Sequence, residues 1–176
     1  MHITCGYYTS TLNFVPGILR STMGIMKLVV GSDDEMRQLG EKIGRLVEGG
    51  EFIELIGDVG AGKTTLTKGI ALGLDITEPV QSPTFTISRV YEGRGGIELR
   101  HYDFYRLNEA GIMSDELSES IGIDDVVTVV EWAGVVDGVM PQDRLRVDIA
   151  ADSEQTRTVE LTGYGESSKR LLEGLQ

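Results

Sequence analysis

Apolar positions along this chain fall into short β-like runs separated by stretches of helical spacing. LVV at 28–30 reads as a strand, and Ser32-Asp33-Asp34-Glu35 is an S-x-x-E capping box that places a helix start at Ser32. Met36, Leu39, Ile43 and Leu46 follow at helical spacing until Gly49-Gly50 stops the run. Phe52 to Ile56 reads as a second strand, running straight into a glycine-rich loop and then a helix from Thr64 to about Gly73, with Leu66, Ile70 and Leu74 on one face. Beyond Pro79 comes a loop, then alternating Phe85, Ile87 and Val90 predict a strand; Gly93 to Gly96 reads as a turn, and ELRHYDF as the next strand. A polar helical stretch spans roughly 108–120. Val126 to Val130 is nearly all β-branched, the pattern of a strand buried on both faces. Arg144–Ile149 and Thr156–Leu161 alternate as strands do, and Ser167–Leu175 closes the chain as a helix. The order implies one α/β domain with three layers, a central sheet that is mixed and partly parallel, flanked by helices.

The loop Gly57-x-x-x-x-Gly62-Lys63-Thr64 matches the whole Walker A pattern, and with the element order it predicts a P-loop NTPase-like three-layer fold. Its glycines let backbone N–H groups face phosphate oxygens, and the helix that follows presents its positive end. Lys63 can reach the β- and γ-phosphates, and the Thr64 hydroxyl can join a Mg²⁺ shell. Mg²⁺ needs further oxygen ligands. Asp103 in HYDFYR and Glu131 in VVTVVEW stand where strands end, and parallel neighbours deliver such ends to the edge that carries the phosphate loop. Either carboxylate could bind the metal, directly or through water, or orient an attacking water. His101 lacks the histidine and cysteine neighbours of a transition-metal site and reads as a hydrogen-bonded strand residue beside Asp103. Trp132 could stack on an adenine ring or pack into the core.

Composition narrows the chemistry. The longest apolar stretches are about six residues, short of the ~20 that cross a bilayer, so no membrane role is expected. A single cysteine, Cys5, suits a reducing compartment and a cytoplasmic protein. The net charge of -12 repels a nucleic-acid backbone, so any service to RNA would run through another protein. Residues 1–25 carry one charged residue, Arg20, and are expected to be a disordered extension or start artefact ahead of a single domain over 26–176. The lysines, at 27, 42, 63, 68 and 169, sit in no [NT]-K-x-D context, which disfavours a regulatory GTPase. Leu107 to Asp143 holds nine acids and no Lys or Arg, so a small-molecule kinase would have to draw its lid from Arg89, Arg94, Arg100 or Arg106. That kinase remains the alternative to an ATPase that acts on a partner.

GDVGAGKTTLTKGIALGL, SPTFT, HYDFYRL and EW, in this order, resemble the TsaE (YjeE) family over about Ser32 to Ile149. The resemblance implies the ATPase of the machinery that makes threonylcarbamoyladenosine in tRNA. It implies that Gly57, Asp58, Val59, Gly60, Ala61, Gly62, Lys63, Thr64 and Thr65 bind the phosphates of ATP, that Thr64 and Glu131 hold Mg²⁺, and that Trp132 lies at the nucleotide. Ser82-Pro83-Thr84-Phe85 would be a switch-like loop sensing the γ-phosphate, with Asp103 needed for hydrolysis. Pro83 favours extended geometry at Ser82, and the Thr84 hydroxyl offers a donor to phosphate or water. The catalytic set would then be Lys63, Thr84, Asp103 and Glu131, and the partners TsaD and TsaB, with tRNA met only through them. One departure stands out: where members of the family often carry Thr early in the first helix, this chain has Met36.

Overall fold

The computed structural model describes residues 18–22, 24–109 and 111–176. Among these residues eight strands form one sheet: β1 (Ile18–Thr22), β2 (Ile25–Val30), β3 (Phe52–Ile56), β4 (Ser88–Glu92), β5 (Glu98–Asp103), β6 (Val126–Glu131), β7 (Leu145–Ala151) and β8 (Arg157–Gly163). Their spatial order is β1-β2-β8-β7-β3-β6-β5-β4. The central β7, β3, β6 and β5 run parallel to one another, while the remaining pairs are antiparallel. Helices α1 (Asp33–Leu46), α2 (Lys63–Gly73) and α4 (Glu166–Gly174) feed the larger apolar core. On the other face, α3 (Ile112–Ser120) and a 3₁₀ segment, Ala133–Val139, cover a smaller core around Phe52, Tyr102, Phe104 and Val130. β6 is buried along its whole length, with Val127 and Val129 in one core and Val130 in the other. The β-branched run is therefore a two-faced strand.

Of the segment 1–25, residues 1–17 and 23 lie outside the described residues; Ile18–Thr22 pairs antiparallel with β2, which begins at Ile25. The capping box at Ser32 reaches one residue further back than its pattern. Ser32 Oγ accepts from the Glu35 N–H at 3.2 Å, while Glu35 Oε2 accepts from the N–H of Gly31 at 2.7 Å. One expected strand is displaced. The Pro83 carbonyl accepts from the N–H groups of Thr86 and Ile87, closing a turn that leaves Phe85 82% exposed and Ile87 at φ 68°. The strand starts only at Ser88, which puts Tyr91 inside and leaves Val90 55% exposed.

What fixes α2 relative to the sheet is its contact with α1. Gly40 and Gly44 on α1 face Gly69 and Gly73 on α2 closely enough that the backbones touch: a methyl at Gly69 would press on the Arg37 carbonyl and sit 2.8 Å from Gly40 Cα. The C-terminal ends of both helices share one cap. The Arg94 guanidinium donates to the carbonyls of Gly44 (2.9 Å), Val47 (2.9 Å) and Arg45 (3.2 Å) near the end of α1, and to Gly73 (2.6 Å) on α2. Gly69→Ala should therefore destabilise the protein by about 2–3 kcal/mol in denaturant unfolding, because overpacking outweighs the better helix propensity of alanine. An unchanged or raised unfolding midpoint would disprove the close helix contact.

Candidate functional site

Three elements bring their ends to one place. β3 ends at Ile56, the loop 57–62 turns back under the sheet edge, and α2 starts at Lys63. Gly62 caps that helix at φ 111°, in the left-handed region that a side chain would disfavour. The parallel register sets Leu55 of β3 beside Glu131 of β6, and Glu131 beside Asp103 of β5. Both carboxylates, only 3% and 4% exposed, thus stand at the edge that carries the loop.

Lys63 is 5% exposed, and its ammonium lies inside the loop's curve, donating to the carbonyls of Gly57 (2.8 Å) and Asp58 (3.0 Å). Its Nζ is 3.9 Å from Glu131 Oε2 and 4.6 Å from the ring centre of Trp132, a cation–π contact. Burial lowers the Lys63 pKa below the ordinary lysine value, against the opposing pull of Glu131, Asp103 and Asp58. The Thr64 hydroxyl donates to Glu131 Oε1 at 3.4 Å. These two hard oxygens on one side of the loop are the ligand type that Mg²⁺ takes, so the donor set fits that ion.

His101 meets Glu131, one strand over. Its Nε2 is 2.9 Å from Glu131 Oε1, and the ring is fully buried. Asp103 is held differently. Its Oδ1 accepts from the Tyr105 N–H at 3.0 Å, and its Oδ2 accepts from Ser82 Oγ at 3.2 Å and from the Thr84 hydroxyl. The Ser82 and Thr84 hydroxyls also touch each other at 2.6 Å. The loop 82–86 is thereby latched to the β5 end through one carboxylate. Two carboxylates side by side have separate partners: Glu131 faces Lys63 and Thr64, and Asp103 faces the Ser82–Thr84 loop.

A cleft of about 470 Å³ runs over this edge, lined by Val59, Gly60, Gly62, Lys63, Thr64, Thr65, Ser82, Thr84, Asp103, Glu131 and Trp132 among others. Gly57 and Asp58 contribute carbonyl oxygens to Lys63, and Ala61 is buried behind the loop. Trp132 follows Glu131 in a left-handed conformation (φ 59°) that turns its ring over Lys63 and against Tyr105, ring centres 5.0 Å apart. It thus stands at the lysine and carboxylate end of the cleft. Met36 is 2% exposed and packs near Gly62, inside the core, so that position offers the cleft no hydroxyl. Asp33, Tyr105, Glu154 and Arg157 also line the cleft, and the sequence pattern pointed to none of them. Arg157 stands at the start of a strand whose alternation speaks of packing alone. Of the arginines considered for a lid, Arg94 caps helices, Arg100 is bound to Glu98 and Ser120, and Arg106 stacks on Phe85.

Known proteins share this arrangement of sequence and fold. A family model described as threonylcarbamoyl adenosine biosynthesis protein TsaE matches residues 30–159. A protein named tRNA threonylcarbamoyladenosine biosynthesis protein TsaE from Streptomyces coelicolor is 39% identical over 136 residues, covering 74% of this chain and 92% of that protein. Its namesake from Bacillus subtilis is 38% identical over 147 residues, covering 81% and 88% respectively. A crystal structure of Bacillus subtilis YdiB superposes with a TM-score of 0.72 at 33% identity, over 89% of this chain and 97% of that one. The match runs from the end of β2 through the loop 57–62, both strand-end carboxylates, all of β7 and the start of β8, and on that footing the chain belongs to the TsaE family.

Proposed function

We propose that this chain is a Mg²⁺-dependent ATPase of tRNA threonylcarbamoyladenosine formation, working in the cytoplasm on the TsaD and TsaB proteins. The observation that carries the reading is the meeting of Lys63, Thr64 and Glu131 at one loop, with Asp103 beside them. Thr64 and Glu131 would hold Mg²⁺, which supplies charge neutralisation across the phosphates. Lys63 would exchange its two loop carbonyls for phosphate oxygens. Asp103, gripped by Ser82 and Thr84, would couple the 82–86 loop to the water or phosphate above it, since a change in those hydroxyl contacts moves the whole turn. Among the described residues no helix is long and apolar enough to cross a membrane. The net charge of -12 favours a protein partner over direct tRNA binding.

A small-molecule kinase is the weaker reading. Among the described residues Arg157 is the one arginine lining the cleft, and its donors meet backbone oxygens. Turnover by the isolated chain should accordingly be slow, since a transition-state arginine can contribute ~10³–10⁵-fold.

The division of labour between the carboxylates is testable by titrating Mg²⁺ against ATP turnover. Glu131→Gln should raise the half-saturating Mg²⁺ by about tenfold or more, whereas Asp103→Asn should lower turnover with the metal titration in place. The reverse pattern would exchange their roles. Nucleotide affinity should also depend on pH through Lys63. Only the ammonium form attracts phosphate, and burial lowers its pKa, so MgATP affinity should fall as pH rises, before the ordinary lysine range is reached. Lys63→Arg should remove that fall. Trp132, the single tryptophan, gives the fluorescence signal; a flat affinity profile in the unaltered chain would contradict the assignment. Retention of the chain on TsaD and TsaB should depend on ATP. Retention indifferent to nucleotide, or transfer of phosphate to a small metabolite, would refute the partner ATPase.

A further inference from the structure

Arg157 opens β8 at the rim of the cleft, and its guanidinium is spread over backbone oxygens. Nε donates to the Ala61 carbonyl at 3.1 Å and Nη2 to the Gly60 carbonyl at 3.5 Å. Nη1 donates to the carbonyls of Ser153 (2.9 Å), Glu154 (3.2 Å) and Thr156 (3.1 Å) in the turn between β7 and β8. One side chain therefore ties the middle of the phosphate loop to a hairpin turn almost a hundred residues away.

The consequence follows from peptide geometry. A trans peptide is planar, with its C=O and N–H pointing in opposite directions. Holding the Ala61 oxygen against Arg157 turns the Gly62 N–H away from Arg157. The Gly60 oxygen belongs with the Ala61 N–H, which already donates to the Asp58 carbonyl at 3.1 Å, so that contact closes the turn. The Gly62 amide is different: among the described residues it donates to no protein acceptor. Gly62 borders the cleft at φ 111°, and a glycine lacks the steric preference that would hold such a peptide one way round. An outside grip is needed. At the front of the loop Lys63 holds the carbonyls of Gly57 and Asp58, contacts it gives up to phosphate on the proposed function, whereas Arg157 keeps its own.

We infer that Arg157 is a positioning residue of the phosphate loop: its fork fixes the Ala61–Gly62 peptide so that the Gly62 amide is presented to phosphate. The inference rests on the reading of the cleft as a nucleotide site. A fork is required, because a single ammonium cannot hold the two loop carbonyls and the hairpin turn together. The role is separate from a direct contact to phosphate, which would need free donors.

The test uses the full chain, comparing the unaltered protein with Arg157→Ala and Arg157→Lys well below their unfolding midpoints. Arg157→Gln, which keeps an amide donor on a shorter stem, replaces the alanine variant should that fail to fold. Amide hydrogen exchange without nucleotide should quicken at Gly62 in the alanine variant. MgATP affinity should fall about 10–100-fold, the scale of a lost charge-assisted hydrogen bond, and lysine should recover only a minor part of it. Unchanged exchange at Gly62, an affinity within about twofold of the unaltered chain, or full recovery with lysine would each overturn the inference. An unaltered chain that binds no MgATP overturns the nucleotide reading, and the positioning role with it. A tight unaltered chain with an equally tight alanine variant overturns the positioning role alone.

Discussion

A buried ammonium between two loop carbonyls and a buried carboxylate is the constraint around which the rest of this protein is arranged. Lys63 and Glu131 are both nearly sealed from solvent and lie 3.9 Å apart. Removing two such charges from water costs several kcal/mol each, and an attraction at that distance offsets it only when the remaining donors and acceptors are also satisfied. The ammonium has the Gly57 and Asp58 carbonyls and Glu131 Oε1 has Thr64 and His101, while Glu131 Oε2 keeps only its contact with Lys63 and the buried His101 Nδ1 has no protein partner among the described residues. On the proposed function, a site of this kind exchanges partners when nucleotide arrives. An anionic triphosphate and a divalent cation could take over those contacts without leaving either charge unpaired.

The fold answers the demand for placement at two ends. The parallel β3, β6 and β5 bring the loop, Glu131 and Asp103 to one sheet edge by register alone. The other end of α2 is set by glycines that let it lie against α1 backbone to backbone, and by Arg94, which caps both helices at once. Backbone contact leaves little room for sliding. The first turn of α2 is consequently held over the sheet edge.

Much of this was legible in the sequence because local chemistry and long-range placement agree there. The Walker A spacing dictates a strand, a loop and a helix, and the β-branched run 126–130 dictates a central strand, so Glu131 had to end near the loop. What was illegible came from contacts without periodicity. Ile87 has a positive φ that no β-branched residue advertises, and the turn from Pro83 delays the next strand to Ser88, leaving Val90 exposed with Tyr91 inside. His101 is the hydrogen-bonded strand residue its surroundings suggest, but its partner Glu131 lies on the adjacent strand, a relation fixed only by register. Arg94 and Arg157 each bind carbonyl oxygens far along the chain, and backbone oxygens leave no mark on residue type.

The most direct measurement is a crystal structure of the chain with Mn²⁺, standing in for Mg²⁺, and a non-hydrolysable ATP analogue, with the metal located by its anomalous signal. The account predicts one metal about 2.1 Å from Thr64 Oγ1 and reached by the Glu131 carboxylate directly or through a single water, with Lys63 Nζ turned onto phosphate oxygens. A metal out of reach of Glu131, or a triphosphate seated away from the 57–65 loop, would contradict it.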